Sequence, residues 1–314
     1  MSNGLGRFLL RRGLTSLIAL VGVCLLVFFL IHLIPGDPVD NMLGEMAPAA
    51  ERDKLRHALH LDEPLGRQLW LFVQSIGDGT LGHSFRHTDR SVTSLIGEAF
   101  PFTLWLALAS MLVALLLALP LGIAAALKPG TWVDGLSMSA SLAGVSLPNM
   151  WLGPMLLLVF SIHWSWFPGP APDRPSAPAA LVLPAITLGT ALMAMLSRMT
   201  RASLLTVMSE DYIRTAHAKG LSGLTVVLKH GLRNALIPVI TVVGLQFGAL
   251  LSGAIVTEKV FGRPGLGTLL MRAITTRDYP VIQGTVLFVA ALYVLVNLAV
   301  DMTYGFVDPR IRRR

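Results

Sequence analysis

Charged side chains are scarce in this 314-residue chain. Asp, Glu, Lys and Arg together make up 14% of it, against roughly 25% in an ordinary soluble domain. With 54% hydrophobic residues and a mean hydropathy of +0.66, that shortage excludes a soluble globular protein and points to an integral membrane protein. Cysteine is almost missing too: Cys24 stands alone, so no intrachain disulfide forms. It reads as a buried packing thiol and carries no information on redox compartment. No Gly-Lys dipeptide occurs, which excludes a phosphate-binding loop of the Gly-x4-Gly-Lys-Ser/Thr type and, with it, ATP hydrolysis by that route. His-Glu-x-x-His is absent, and no Ser-His-Asp grouping or cysteine nucleophile has a coherent spacing. No catalytic residue, cofactor site or metal site is therefore assigned.

What is present is long apolar runs. Six are long enough to cross about 30 Å of hydrocarbon at ~1.5 Å per helical residue: Leu9–Ile34, Pro101–Leu127, Gly135–Ile162, Leu181–Ser197, Leu236–Thr257 and Val281–Val300. All are expected to be helices, because an open sheet leaves backbone polar groups unsatisfied in lipid. The first follows Arg7, Arg11 and Arg12 as a signal peptide would, but its apolar run exceeds the roughly 7–15 residues of a secretory core, so a retained helix is expected. None of the six carries Asp, Glu, Lys or Arg in mid-membrane, the group a proton-coupled carrier normally needs as a relay. Asp301 comes nearest, at the inner end of the sixth span.

The net charge of +7 would suit nucleic acid if it formed one patch, and it does not. With the N-terminus inside, the inner segments hold Arg7, Arg11, Arg12, Lys128, Arg198, Arg201, Arg214, Lys219, Lys229, Arg233 and the C-terminal arginines, against Asp134, Glu210, Asp211 and Asp308. This is the positive-inside asymmetry of a multi-pass protein with both termini in the cytoplasm. Membrane orientation explains the basic balance and no nucleic-acid partner is expected.

Three sections follow from these spans: 1–34, an N-terminus and first helix; 35–98, an external cap; and 99–314, the core of five helices. Pro35-Gly36-Asp37-Pro38 stops the first helix. In the cap, Pro48 to Leu61 and then Leu65, Leu69, Phe72 and Val73 have the spacing of short amphipathic helices. Trp164 to Pro178 suits an interfacial outer loop. A large inner loop, 198–235, separates the fourth and fifth spans, and an outer loop, 258–280, separates the fifth and sixth.

The inner loop holds the residues of most interest. Ser209 or Asp211 is placed to cap a helix, Glu210 complements its dipole, and Gly220 supplies a left-handed end. The helix between is about two turns, too short to be stable alone. Thr215, Ala216 and Ala218 give it a small face that another backbone can approach, while Arg214, Lys219 and Lys229 add charge. These features fit a docking handle, and an ordinary basic loop remains the plain alternative.

The run Asp211-Tyr212-Ile213-Arg214-Thr215-Ala216-His217-Ala218-Lys219-Gly220-Leu221-Ser222, followed by His230-Gly231-Leu232-Arg233-Asn234-Ala235-Leu236-Ile237-Pro238, resembles the permeases of binding-protein-dependent ABC importers. More narrowly it resembles their peptide/nickel branch, of the dipeptide/oligopeptide permease B type. Gly220 matches the motif's fixed glycine, whereas Arg214-Thr215-Ala216 stands where the general motif begins Glu-Ala-Ala, and Pro238 is displaced downstream. Pro35-Gly36-Asp37-Pro38, Phe100-Pro101-Phe102-Thr103, Ser146-Leu147-Pro148-Asn149-Met150-Trp151, Gly262-Arg263-Pro264-Gly265-Leu266-Gly267, Arg277-Asp278-Tyr279-Pro280 and Asp308-Pro309-Arg310 agree with that branch in order and place.

The resemblance implies an all-α type I importer permease with six transmembrane helices and a cap between the first two, in a bacterial cytoplasmic (inner) membrane. It implies as partners a second, similar permease, two ATPase subunits that bind the ATP and Mg, and an extracytoplasmic solute-binding protein. Asp211, Tyr212, Arg214, Thr215, Ala216, Ala218, Lys219 and Gly220 would couple to the ATPase. Arg263, Pro264, Gly265, Arg277, Asp278 and Tyr279, with the cap, would receive the binding protein. Di- and oligopeptides are the expected cargo, with glutathione, nickel chelates or opine-like solutes as alternatives, and a secondary carrier or an intramembrane enzyme as distant ones.

Other residues stay open between two readings. Asn149 and Gln246 line a pathway or bond between helices, and Ser146, Thr187, Ser252 and Asn297 favour interhelical bonding. Pro120, Pro148, Pro154 and Pro184 permit kinks. Gly244-x3-Gly248 is a small-xxx-small match, suited to contact with a second permease. His57 with His60, and His83 with His87, would share a helix face fit for a divalent metal, though solvated histidine is the commoner case.

Overall fold

The computed structural model describes residues 3–33, 38–44, 47–170 and 177–307. The turn residues 35–37, the segment 308–310 and the side chain of Ser252, all of which carried expectations, lie outside the described residues. Among those described, regular structure is helical apart from one antiparallel bridge, His83 to Ser91. The helices are α1 (Asn3–Leu33), α2 (Pro38–Leu43), α3 (Ala49–Ala58), α4 (Leu65–Gly77), α5 (Val92–Leu127), α6 (Trp132–Ser146), α7 (Asn149–Leu156), α8 (Ala179–Met208), α9 (Asp211–Ala218), α10 (Gly223–Thr225), α11 (Leu232–Gly253), α12 (Ile255–Val260), α13 (Leu266–Thr276) and α14 (Tyr279–Val307). Wider π-helical turns extend α7 over Leu157–His163 and join α10 to α11 over Val226–Gly231.

Five stretches of the described residues are long and apolar enough to span a bilayer: Arg12–Phe29, Val92–Leu127, Ala179–Met208, Gly223–Leu251 and Tyr279–Met302. The expected third span, Gly135–Ile162, is not one straight helix. It is α6 and α7, bent by 94° at the break between them, and makes a sixth span only if the bent pair is taken together. Pro148 is the cause. Proline has no N–H to continue the ladder and drives the preceding residue out of the helical region. Leu147 is accordingly extended (φ −89°, ψ 117°), and α7 starts afresh after Pro148. Pro184 and Pro238 instead sit inside continuous helices.

The chain forms two compact units, Met1–Thr103 with Pro264–Leu295 and Leu104–Arg263 with Val296–Arg314. The core of the first is Val27, Val92, Ile96, Ala99, Leu266, Ala273, Val281 and Ile282. The spacing in α4 predicted a broad apolar face, yet only Phe72 is buried there, stacked on Phe28 of α1 at 6.2 Å. Leu65 and Val73 are exposed.

In the second unit α8 is the hub, packed against α6, α7, α11 and α12. Gly144 of α6 lies so close to α8 that a Cβ there would sit 2.5 Å from the Thr190 carbonyl oxygen. Small residues allow such backbone approach between helices in lipid. Ser203 of α8 donates to the Ala235 carbonyl of α11 at 2.8 Å. Gly244, expected to meet a second permease, instead faces this chain's own α14: a Cβ there would be 2.1 Å from Val300 Cγ2.

Candidate functional site

α9 begins where α8 ends. Ser209 closes α8, its hydroxyl donating to the Thr206 carbonyl at 2.7 Å, and the extended Glu210 (ψ 149°) opens α9. Neither Ser209 nor Asp211, the two expected caps, occupies that position. Asp211 is already inside the helix, where its negative charge still complements the N-terminal dipole. At the other end, Gly220 stands at φ +78°. Its N–H donates to the His217 carbonyl at 2.9 Å, and Leu221 N–H reaches back to the Ala216 carbonyl at 3.4 Å. This crossed pair is the hydrogen-bonding pattern of a helix end reversed by a left-handed residue. Ser222 then starts the next helix by accepting from Thr225 N–H at 3.4 Å.

Two turns of helix do not hold themselves together in water, and here tertiary packing does the holding. Ile213 (2% exposed) and Ala216 (6%) face inward against Val226, with Met208 beside them. Ala216, expected on the small docking face, is therefore part of the seat beneath the helix. The outer face consists of Asp211, Tyr212, Arg214, Thr215, His217, Ala218, Lys219 and Gly220. Arg214 reaches Asp211 at 3.4 Å, and Thr215 donates to the Asp211 carbonyl at 3.0 Å. Asn234 of α11 donates to the Tyr212 hydroxyl at 2.8 Å, tying α9 to a second helix.

A further polar tie was missed in the sequence. Asp134, in the first turn of α6, is 7% exposed and receives Arg201 of α8 in two-pronged fashion, Nε to Oδ1 at 2.7 Å and Nη2 to Oδ2 at 2.6 Å. Gly130 N–H donates to the same carboxylate at 3.0 Å. Its signal was there: Asp134 is an isolated acid among the many basic residues of the inner segments.

The loop after α11 differs from expectation in which residues face outward. Arg263 and Asp278 are 4% and 3% exposed, and Gly265 is also buried. Asp278 accepts from the Ser84 hydroxyl at 2.5 Å, Phe85 N–H at 3.0 Å and Arg86 N–H at 3.4 Å. It fastens the segment before α5 to the corner between α13 and α14, a corner made by Arg277 in the left-handed region (φ 53°). Arg263 Nη1 points to the Ala180 carbonyl at 3.5 Å, and burial lowers its pKa while Glu258 opposes the shift. Of the six residues expected to face a partner, Pro264 is exposed and Arg277 and Tyr279 are half-buried. Thr103 Oγ1 accepts from Leu266 N–H at 2.8 Å, so α13 is fixed at its start.

Asn149 is the first residue of α7, at the 94° break, and is half-buried. Gln246 Nε2 lies 2.8 Å from Met195 Sδ, an interhelical contact from α11 to α8. Thr187 and Ser146 bond back to their own helices, at 2.9 Å to Leu183 and Leu142. Neither histidine pair shares a helix face. His57 is in α3 and bonds Asp62 at 2.6 Å, while His60 lies beyond the helix at φ 55°. His83 and His87 lie outside helices altogether.

Two family models match the chain: the binding-protein-dependent transport system inner membrane component over residues 118–313, and the N-terminal part of such a membrane component over residues 5–107. The chain is 44% identical over 305 residues to the glutathione transport system permease protein GsiC of Escherichia coli (strain K12), covering 97% of this chain and 98% of that one. The protein of the same name from Salmonella typhimurium (strain LT2) matches with the same identity and coverage. Among solved structures, the MetNI methionine ABC transporter in inward facing conformations is similar at a TM-score of 0.54 and 18% identity, over 68% of this chain and 96% of that one. At that identity the likeness concerns the fold.

Proposed function

This chain belongs to the family of inner membrane components of binding-protein-dependent transport systems, and we propose that it is the permease subunit of an ABC importer that carries short peptides into the cell. Glutathione, itself a tripeptide, is the first cargo to try, since relatives 44% identical are glutathione transport permeases. Longer peptides, nickel chelates and opine-like solutes are the further cargoes to compare.

The observation that carries the reading is α9: a short helix with one exposed face, seated through Ile213 and Ala216 and ended by Gly220, in a member of this family. In the proposed complex two ATPase subunits bind ATP and Mg, and one of them grips α9. A second, similar permease completes the pathway. Both termini lie in the cytoplasm, as the basic inner segments favour. Closure of the ATPase pair draws the two coupling helices together and turns the permease pair outward, so that cargo released by the binding protein enters near the membrane midplane. This chain contributes half of the pathway, with Asn149 and Gln246 as its candidate lining, and a handle for force made elsewhere. The binding protein docks on the cap and on the exposed part of the loop around Pro264.

The test is uptake by proteoliposomes holding this chain, the second permease, the ATPases and the binding protein. Glutathione uptake should require internal ATP, the binding protein and every subunit. Uptake by this chain alone on a proton or sodium gradient would mean a secondary carrier. Chemical turnover of the solute by the purified chain would mean an enzyme.

A further inference from the structure

In the proposed orientation α9, the Val226–Gly231 turn beneath it and the end of α8 form one cytoplasm-side block. Met208, the last residue of α8, packs under Ile213, Ala216 and Val226, so a displacement of α9 bears on the end of α8. Two turns back along α8, Arg201 holds Asp134 of α6 by two hydrogen bonds of 2.7 and 2.6 Å. α6 then leads through the extended Leu147 to the 94° break and Asn149. Toward that break α6 is again pressed on α8, at Gly144 against Thr190.

We propose that Asp134 and Arg201 are a positioning pair that ties α6 to the block carrying α9, so that displacement of α9 is passed to α6 and on to Asn149 at the start of α7. The Gly144 contact sets the spacing of the two helices, backbone against the Thr190 carbonyl, without a side-chain hydrogen bond. A two-pronged Arg–carboxylate contact is directional and holds both angle and register. Asp134 is also held from its own side by Gly130 N–H at 3.0 Å, which stops the carboxylate from rotating to follow Arg201 while α6 stays behind. Without the pair, α9 would still dock and the ATPases would still cycle, but the cytoplasmic end of α6 would follow with less precision in angle and register. The expected defect is therefore uncoupling, meaning hydrolysis without transport. This inference rests on the permease reading above.

The experiment uses the full reconstituted complex and measures cargo moved and ATP hydrolysed in the same proteoliposomes. Asp134→Asn should lower cargo moved per ATP at least tenfold, with binding-protein-stimulated hydrolysis within about twofold of the parent. The charge swap, Asp134→Arg with Arg201→Asp, should recover part of the loss but not all of it, because an arginine at 134 cannot accept from Gly130 N–H. If Asp134→Asn does not assemble, Arg201→Lys, which keeps the charge but not the fork, should show the same uncoupling to a smaller extent. An unchanged ratio in these variants overturns the proposal, as does a parallel fall of transport and hydrolysis that the swap fails to repair. If the unmodified complex shows no ATP-dependent uptake at all, it is the permease reading that fails, and the two failures are thus distinguishable.

Discussion

Replacing Gly220 separates two reasons for a glycine at the end of α9. The first is conformational: at φ +78° an alanine costs about 1–2 kcal/mol, whereas asparagine visits this region more readily. The second is room for a partner. Among the described residues, its two chain neighbours aside, no atom lies within 4 Å of a Cβ built at 220, so a methyl there meets nothing in this chain and a steric penalty on it comes from outside. The two reasons rank the variants differently. Conformation alone orders them glycine, asparagine, alanine, because one to two kcal/mol shifts the ordered-to-frayed ratio of the helix end by a factor of about 5–30. A closely seated ATPase orders them by size, glycine, alanine, asparagine, with Gly220→Trp worst. We expect the thermal midpoint of the isolated permease to fall more with Gly220→Ala than with Gly220→Asn. We expect ATP-dependent uptake in the full complex to fall more with Asn than with Ala, and at least tenfold with Trp, equivalent to about 1.4 kcal/mol of lost coupling. Parental uptake by both Gly220→Asn and Gly220→Trp would refute the docking reasoning, leaving the glycine a purely local role.

Three further outcomes follow from the geometry. Asp278→Ala removes the acceptor of the Ser84 O–H and of the Phe85 N–H, at about 1–3 kcal/mol per unsatisfied group; its thermal midpoint should drop well below that of the parent, and an unchanged midpoint would show the carboxylate to be dispensable. Gly244→Ala drives a methyl into Val300 at about 1–3 kcal/mol of overpacking, and Val300→Ala in the same chain should restore thermal stability; failure to do so would point to a different neighbour. The Asp62 hydrogen bond raises the pKa of His57, and the same bond lowers that of Asp62. The histidine's contribution is present below its ordinary pKa and lost as pH rises through the raised one, and the carboxylate's is lost as pH falls through its lowered value. Both groups are exposed, so the effect on unfolding is small, but an NMR titration of His57 should move to lower pH in Asp62→Asn, and an unmoved titration would refute the pairing.

Some of this architecture was legible because its causes are local. Apolar runs marked the spans, since hydrocarbon thickness sets their length. The two-turn helix before Gly220 was readable from its polar composition and the glycine's freedom at positive φ. Pro148 was recognised as a possible kink, but the extent of the break depended on the chain finding new packing for α7 against α8 and α12. The facing of residues was not legible. Ala216 and Ala218 look alike in sequence, and only rotation of α9 onto Val226 and Met208 buries the first and exposes the second.

By itself, then, the sequence determined membrane residence, helical class, the approximate spans and the family, because lipid admits few solutions and the motif around Gly220 is local. Tertiary structure alone decided that Asp278 secures Ser84, 194 positions away, that Arg201 grips Asp134, and that Gly244 belongs to Val300 rather than to another subunit. Such pairings depend on how separate helices are rotated and stacked, and no spacing along one stretch of chain encodes that angle.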